Sequence, residues 1–194
     1  MKKSFYFFRR SAFVLGALLI FYSCNNNSNK EESTGEVEVA ESETPQITDP
    51  QIASIAVTAN QVDIDFAKAA LDRLGDESAK GFANMMISDH NSVIDAAVNL
   101  AGELSVTPED NPTTQSLIAL RDSTIAAWAN LSGAEFDKAY INNEVGYHEF
   151  AIGAVKDLLI PSSSNEQLKS LLQSAVPNFE AHLAKAKEIQ ANLE

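Results

Sequence analysis

Cysteine is almost missing from this 194-residue chain: Cys24 is the only one. That excludes a disulfide within one chain, a thiolate metal site and a redox pair. Long hydrophobic runs are missing as well. The most apolar stretch, Ala12–Tyr22 (AFVLGALLIFY), has 11 residues and is too short to span a bilayer core. Positive charge is scarce, with 14 Lys and Arg against 27 Asp and Glu. Such a field repels nucleic acid and anionic headgroups. The 8 glycines form no phosphate-binding loop, and no nucleophile stands beside a base. β-Branched alternation is absent, which argues against a sheet.

The chain opens with an address. Lys2, Lys3, Arg9 and Arg10 precede the apolar run, and Ser23-Cys24 follow it directly. A cationic start, a short apolar core and a small residue before cysteine resemble a bacterial lipoprotein signal. Residues 1–23 are expected to be removed and Cys24 to be lipidated, which makes the membrane a partner through the lipid anchor. Residues 24–49 are Asn-, Ser-, Glu- and Thr-rich with no aromatic, a composition that reads as a disordered acidic tether. Some 25 such residues reach roughly 25–30 Å. Asn25 is not the aspartate of an inner-membrane retention signal, so the expected address is the outer membrane, facing periplasm or surface. With the signal's four cations gone, 10 basic residues face 27 acidic ones, a net charge of −17.

Residues 50–194 make one domain. Apolar residues spaced 3 and 4 apart predict helices over about 50–74, 76–104, 113–131, 132–160 and 164–193. Gly75 is expected to terminate the first, Asp76 to cap the second, and Ser132/Glu135 and Ser164/Gln167 to form capping boxes. The third seam reads Leu117, Leu120, Thr124, Trp128, Leu131. Pro161 should stop the fourth helix. Pro177 removes a backbone hydrogen bond inside the last, predicting either a kink that aims His182 inward or a plain break. The architecture expected is all-α: an antiparallel four-helix bundle with a kinked or extra C-terminal helix.

Histidine is rare, and its placement is the only hint of chemistry. His90, His148 and His182 each fall on the seam of a different helix, 13–17 residues from its start, roughly 20 Å along it. If about three positions in seven are seam positions, three random histidines all land there roughly 8% of the time. Antiparallel packing brings such positions to one level. Asp89 adjoins His90; Asp137, Tyr140, Glu144 and His148 follow one stripe at spacings of 3 and 4; Asp63 lies one turn from Phe66. Glu180, two residues before His182, points elsewhere.

The succession Phe82…Met86…Asp89-His90, Phe136-Asp137…Tyr140…His148 and Pro177…His182 resembles a bacterial ferritin-like family. That family is labelled a domain of unknown function and often named as an outer membrane protein. The likeness covers about residues 60–190. It implies a four-helix ferritin-like bundle in the periplasm or envelope and no established reaction. Asp63 departs from it, since the family more often has glutamate there.

Two readings of the histidines stand open. Buried polar groups ordinarily find structural partners, so the three imidazoles, with Asp89, Tyr140 and Glu144, fix helix register in a structural or interaction module. Alternatively His90, His148, His182 and Glu144 bind a divalent transition metal (Zn, Cu or Fe), with Asp89, Asp137, Tyr140 and Asp63 around them. A ferritin-type di-iron centre fits poorly, because Ile87, Val145 and Phe179 occupy the positions where Glu-x-x-His pairs need glutamate. An enzyme is the least supported reading, and no protein partner can be named.

Overall fold

The computed structural model describes residues 47–193. The signal segment, Cys24 and most of the tether lie outside the described residues. The rest is helical: α1 (Asp49–Leu71), α2 (Glu77–Glu103), α3 (Pro112–Ala127), α4 (Gly133–Ala154), a π-helical turn (Val155–Leu159), the short α5 (Ile160–Ser162) and α6 (Glu166–Leu193). Among the described residues there is no strand, and no helix is long and apolar enough to cross a membrane.

The helices start where side chains satisfy free amides. Thr48 and Gln51 form a capping box on α1, with Pro50 in the first turn. Asp76 accepts from Ala79 N at 2.9 Å and caps α2. Asn111 accepts from Thr113 N and Thr114 N at 3.0 and 3.1 Å, while Thr114 Oγ1 accepts from Asn111 N, a box on α3. The two boxes expected further along do not form. Ser132 makes no cap bond because the chain turns through φ 55° at Gly133, a left-handed conformation that glycine adopts freely. The cap of α6 is Asn165, bonded to Gln167 N and Leu168 N; Ser164 N donates instead to Asp49.

Four long helices, α1, α2, α4 and α6, surround the core. α1 packs on α2, α4 on α6 and α2 on α6, with α3 laid against α1. The seams of α2, α4 and α6 are buried as their spacing predicts: Ala83, Met86, Ile141, Val145, Leu168, Leu172, Phe179 and Ile189 among them. α3 is different. Leu120 is exposed, and the helix meets α1 through Thr114, Leu117 and Trp128 and an Arg121–Asp65 ion pair at 3.0 Å. Phe66 is enclosed by Trp128 and Tyr147, with ring centroids 5.7 and 5.4 Å away. Arg73 lies 3.9 Å over the Phe136 ring and donates to the Trp128 and Leu131 carbonyls, closing the C-terminal end of α3 with a cation.

Three expected boundaries move. α1 stops at Leu71, so Gly75 is not its left-handed terminator; Gly75 N donates to Asp137 Oδ1 at 2.8 Å. Pro161 does not end the fourth helix either. The chain first widens into the π-helical turn, where Ile160 N bonds to Val155 O five residues back, and Pro161 then occupies a first-turn position of α5. α6 runs unbroken through Pro177, so the break into two shorter helices does not occur.

Asp137 ties α4 to the α1–α2 connection, its two oxygens accepting from Gly75 N and Asp76 N at 2.8 and 3.0 Å. It is buried, so Asp137→Ala orphans two amides. We expect a loss of about 1–3 kcal/mol in urea unfolding; a loss below about 0.5 kcal/mol would contradict the role assigned.

Candidate functional site

The three histidines converge. Ring centroids of His90 (α2), His148 (α4) and His182 (α6) are 5.3, 5.5 and 5.7 Å apart pairwise. All three side chains are buried. Phe179 stacks on His90 at 5.5 Å, with the rings 6° from parallel, and Phe82 stands edge-on to His148. The apolar neighbours hold the rings and exclude water.

One nitrogen of each ring is committed outward. Asn60 Nδ2 donates to Ala56 O at 2.7 Å, leaving its Oδ1 to accept from His90 Nδ1 at 2.6 Å. His148 Nδ1 donates to the Glu144 carbonyl at 2.9 Å, and His182 Nε2 to Asp89 Oδ2 at 3.1 Å. These bonds fix the tautomers. The opposite nitrogens, His90 Nε2, His148 Nε2 and His182 Nδ1, are buried with no hydrogen-bond partner. In a neutral imidazole each of these carries a lone pair. The three residues each offer a ligand atom within 4.8 Å of the others.

α1 adds the carboxylate. Asp63 Oδ2 lies 3.4 Å from His90 Nε2 and 3.6 Å from His148 Nε2, and Asp63 is 1% exposed. Glu144, wholly buried one turn before His148, forms with Asp63 and His148 a second three-residue group within the same 4.8 Å. Burial pushes the Asp63 carboxyl up to about 7, against a smaller lowering effect of the neighbouring Glu144. Burial first, and then the Asp63 charge, hold Glu144 well above the usual carboxyl range. Burial pushes His90 down to about 2 and His148 to about 4; it also lowers His182, with Asp89 pulling the other way. At neutral pH the imidazoles are therefore uncharged, and Asp63 titrates.

The other expected residues sort clearly. Tyr140 is buried beside this group, its hydroxyl unpartnered and its pKa raised by burial and then by the Glu144 charge. Asp89 is half-buried and orients His182. Asp137 is not brought to the histidines, being occupied at the α1–α2 connection. Glu180 pairs with Lys156 on the surface, away from the cluster. Pro177 lies inside α6, five residues before His182. Asn60 was not expected. Its signal was available, since Asn60 precedes Asp63 by three residues and shares its helix face.

The family described as Domain of unknown function (DUF4142) matches residues 34–189. The chain belongs to that family. No curated protein matches it. The DUF4142 domain is similar in fold to a solved structure described as a DUF305 fragment from Deinococcus radiodurans, with a TM-score of 0.65 at 12% identity, over 77% of this chain and 97% of that one. At that identity the likeness speaks for the helical fold of the DUF4142 domain alone.

The cluster sets a pH signature for the metal-free protein. Asp63 holds its proton longer folded than unfolded, because its folded value of about 7 exceeds 3.8. Its contribution to stability is therefore full below pH 4 and lost as pH rises through 7. Asparagine cannot ionise, so the stability of Asp63→Asn relative to wild type should climb between pH 5 and pH 8 in urea titrations. A difference that stays flat over that interval would contradict the buried, titrating carboxyl.

Proposed function

We propose that the domain binds one divalent transition-metal ion through His90 Nε2, His148 Nε2, His182 Nδ1 and Asp63 Oδ2. One observation carries the reading: every imidazole has its outer nitrogen satisfied and its inner nitrogen orphaned, and the orphans face one another. A structural network would satisfy both ends of its rings, since buried polar atoms rarely go without partners. The Asn60, Glu144-carbonyl and Asp89 bonds are the orienting contacts that metal-bound histidines ordinarily have. The spacing supports it too. Ligands about 2.0–2.1 Å from a tetrahedral ion stand roughly 3.3–3.4 Å apart, and the Asp63–His90 and Asp63–His148 separations are 3.4 and 3.6 Å. Nitrogen donors favour Zn, Cu or Fe over Mg or Ca.

In this reading Glu144, the ligand expected from sequence, is the buried carboxyl beside Asp63 rather than a first choice of ligand. The bundle with its inward polar waist supports a ferritin-like description, though it lacks the Glu-x-x-His pairs of di-iron centres. No reaction is assigned.

Titration of the metal-free chain with Zn(II) should give one tight equivalent and a Tm that rises with metal concentration; saturation at 100 times Kd adds about 2.7 kcal/mol of stability. His148→Ala should abolish both. Affinity should fall as pH drops from 8 to 6, because Asp63 must lose its proton while His90 and His148, at about 2 and 4, do not compete there. Absence of stoichiometric binding for Zn(II), Cu(II) and Fe(II) alike would return the cluster to a structural role.

We also infer that the domain is carried as an outer-membrane lipoprotein. The cationic start, the short apolar run and Ser23-Cys24 support this. Labelled palmitate should enter the wild-type chain in bacteria and not Cys24→Ser; equal labelling would contradict it.

A further inference from the structure

A cavity of about 200 Å³ leads from the surface to the polar cluster. Its rim carries Phe150 and Leu158, 58% and 47% exposed, unusual for residues of their size. Its walls are aliphatic and aromatic side chains of α1, α2, α4, the π-helical turn and α6, including Ile55, Val93, Ala151 and Leu172. Asn60, Asp63, His90 and His148 form its inner end. Thr113 and Leu117 of α3 complete the lining, and the backbone widens beside it at Val155–Leu159; single π-helical turns of this kind recur at functional sites.

The lining selects its occupant. It contains no lysine or arginine, and Asp63 is its one charged residue. An organic anion finds no basic side chain, and an organic cation would be stripped of water against hydrocarbon before reaching one carboxylate. An apolar cavity of about 150 Å³ stays dry and takes benzene, so this one admits a single ring with a substituent, or an alkyl chain of similar bulk. The polar requirement sits at the inner end. Tyr147 Oη already donates to Ala59 O at 2.8 Å, and both ends of the Asn60 amide are used. The atoms left over, Asp63 Oδ1 and Oδ2, His90 Nε2 and His148 Nε2, are lone-pair donors to a metal or acceptors of a proton. A hydroxyl serves either case, giving its proton to the free acceptors or its oxygen, as a fifth ligand, to an ion held by them.

We propose that this cavity binds a small neutral alcohol or phenol, with the hydrocarbon body between Phe150, Leu158 and Leu172 and the hydroxyl seated at the histidine–carboxylate cluster. The anchoring of the hydroxyl at an ion rests on the metal reading; the apolar cavity does not.

The test uses the full chain loaded with Co(II), whose visible spectrum reports its ligands, and the probes p-cresol and toluene. One equivalent of each should bind, p-cresol about tenfold tighter for its extra hydrogen bond or ligand contact, and p-cresol alone should shift the Co(II) bands. Ala151→Phe, which fills the cavity without touching the cluster, should weaken both probes at least tenfold and leave Co(II) stoichiometry at one; Ala154→Leu serves if that variant does not fold. A chain that binds Co(II) but neither probe overturns the proposal and spares the metal site. Equal affinities with unmoved Co(II) bands overturn the placement of the hydroxyl. If Co(II) itself does not bind, the metal reading falls, and toluene uptake lost in Ala151→Phe then upholds the apolar cavity on its own.

Discussion

The constraint on which the rest of this structure depends is the burial of half-satisfied imidazoles. A buried polar nitrogen without a partner costs stability, and this bundle holds three, beside two carboxyls whose oxygens are also without N–H donors. That cost is tolerable only because each ring is pinned on its outer side and packed by aromatic side chains. Asn60, the Glu144 carbonyl and Asp89 settle which nitrogen carries the proton. The same bonds therefore align the free lone pairs and stop the rings turning away to find other partners.

Every large feature of the fold serves that convergence. The cluster draws on α1 for Asp63 and Asn60, α2 for His90, α4 for Glu144 and His148, and α6 for His182. No two of the three imidazoles share a helix, so their meeting is a tertiary fact that requires α2, α4 and α6 in register. Register in turn is set by the caps and by long-range anchors such as Asp137 on the Gly75 and Asp76 amides. Opposed charge effects keep the centre poised. Burial favours uncharged imidazole and protonated carboxyl alike, so the buried waist holds neutral imidazoles and an aspartate that ionises only near pH 7. An apolar cavity of about 200 Å³ reaches that centre from the surface.

Much of this was legible in the residues themselves. Seam spacing of 3 and 4 identified the buried faces of α2, α4 and α6, because core packing reads out the helical period directly. It also put all three histidines inward at one level. Boundaries were less legible. Gly75 looked like a helix terminator, but the amide it exposes is taken by Asp137 sixty-two residues away, which no local pattern encodes. Ser132/Glu135 and Ser164/Gln167 matched a capping pattern, yet the backbone at Gly133 and the stronger cap Asn165 took precedence. α3 misled at Leu120, since a helix packed on one neighbour buries a narrower stripe than a helix inside the bundle. The π-helical turn has no sequence signature, and Asp63, not Glu144, emerged as the carboxylate facing the inner nitrogens of His90 and His148 only once helices were set side by side.

The account stands most directly on the protonation of three rings, and nitrogen-15 NMR of the metal-free protein above pH 7 reads it atom by atom. It predicts neutral imidazoles throughout, protonated on Nδ1 in His90 and His148 and on Nε2 in His182. Rapidly averaging tautomers, or a proton on any of the three inner nitrogens, would contradict it.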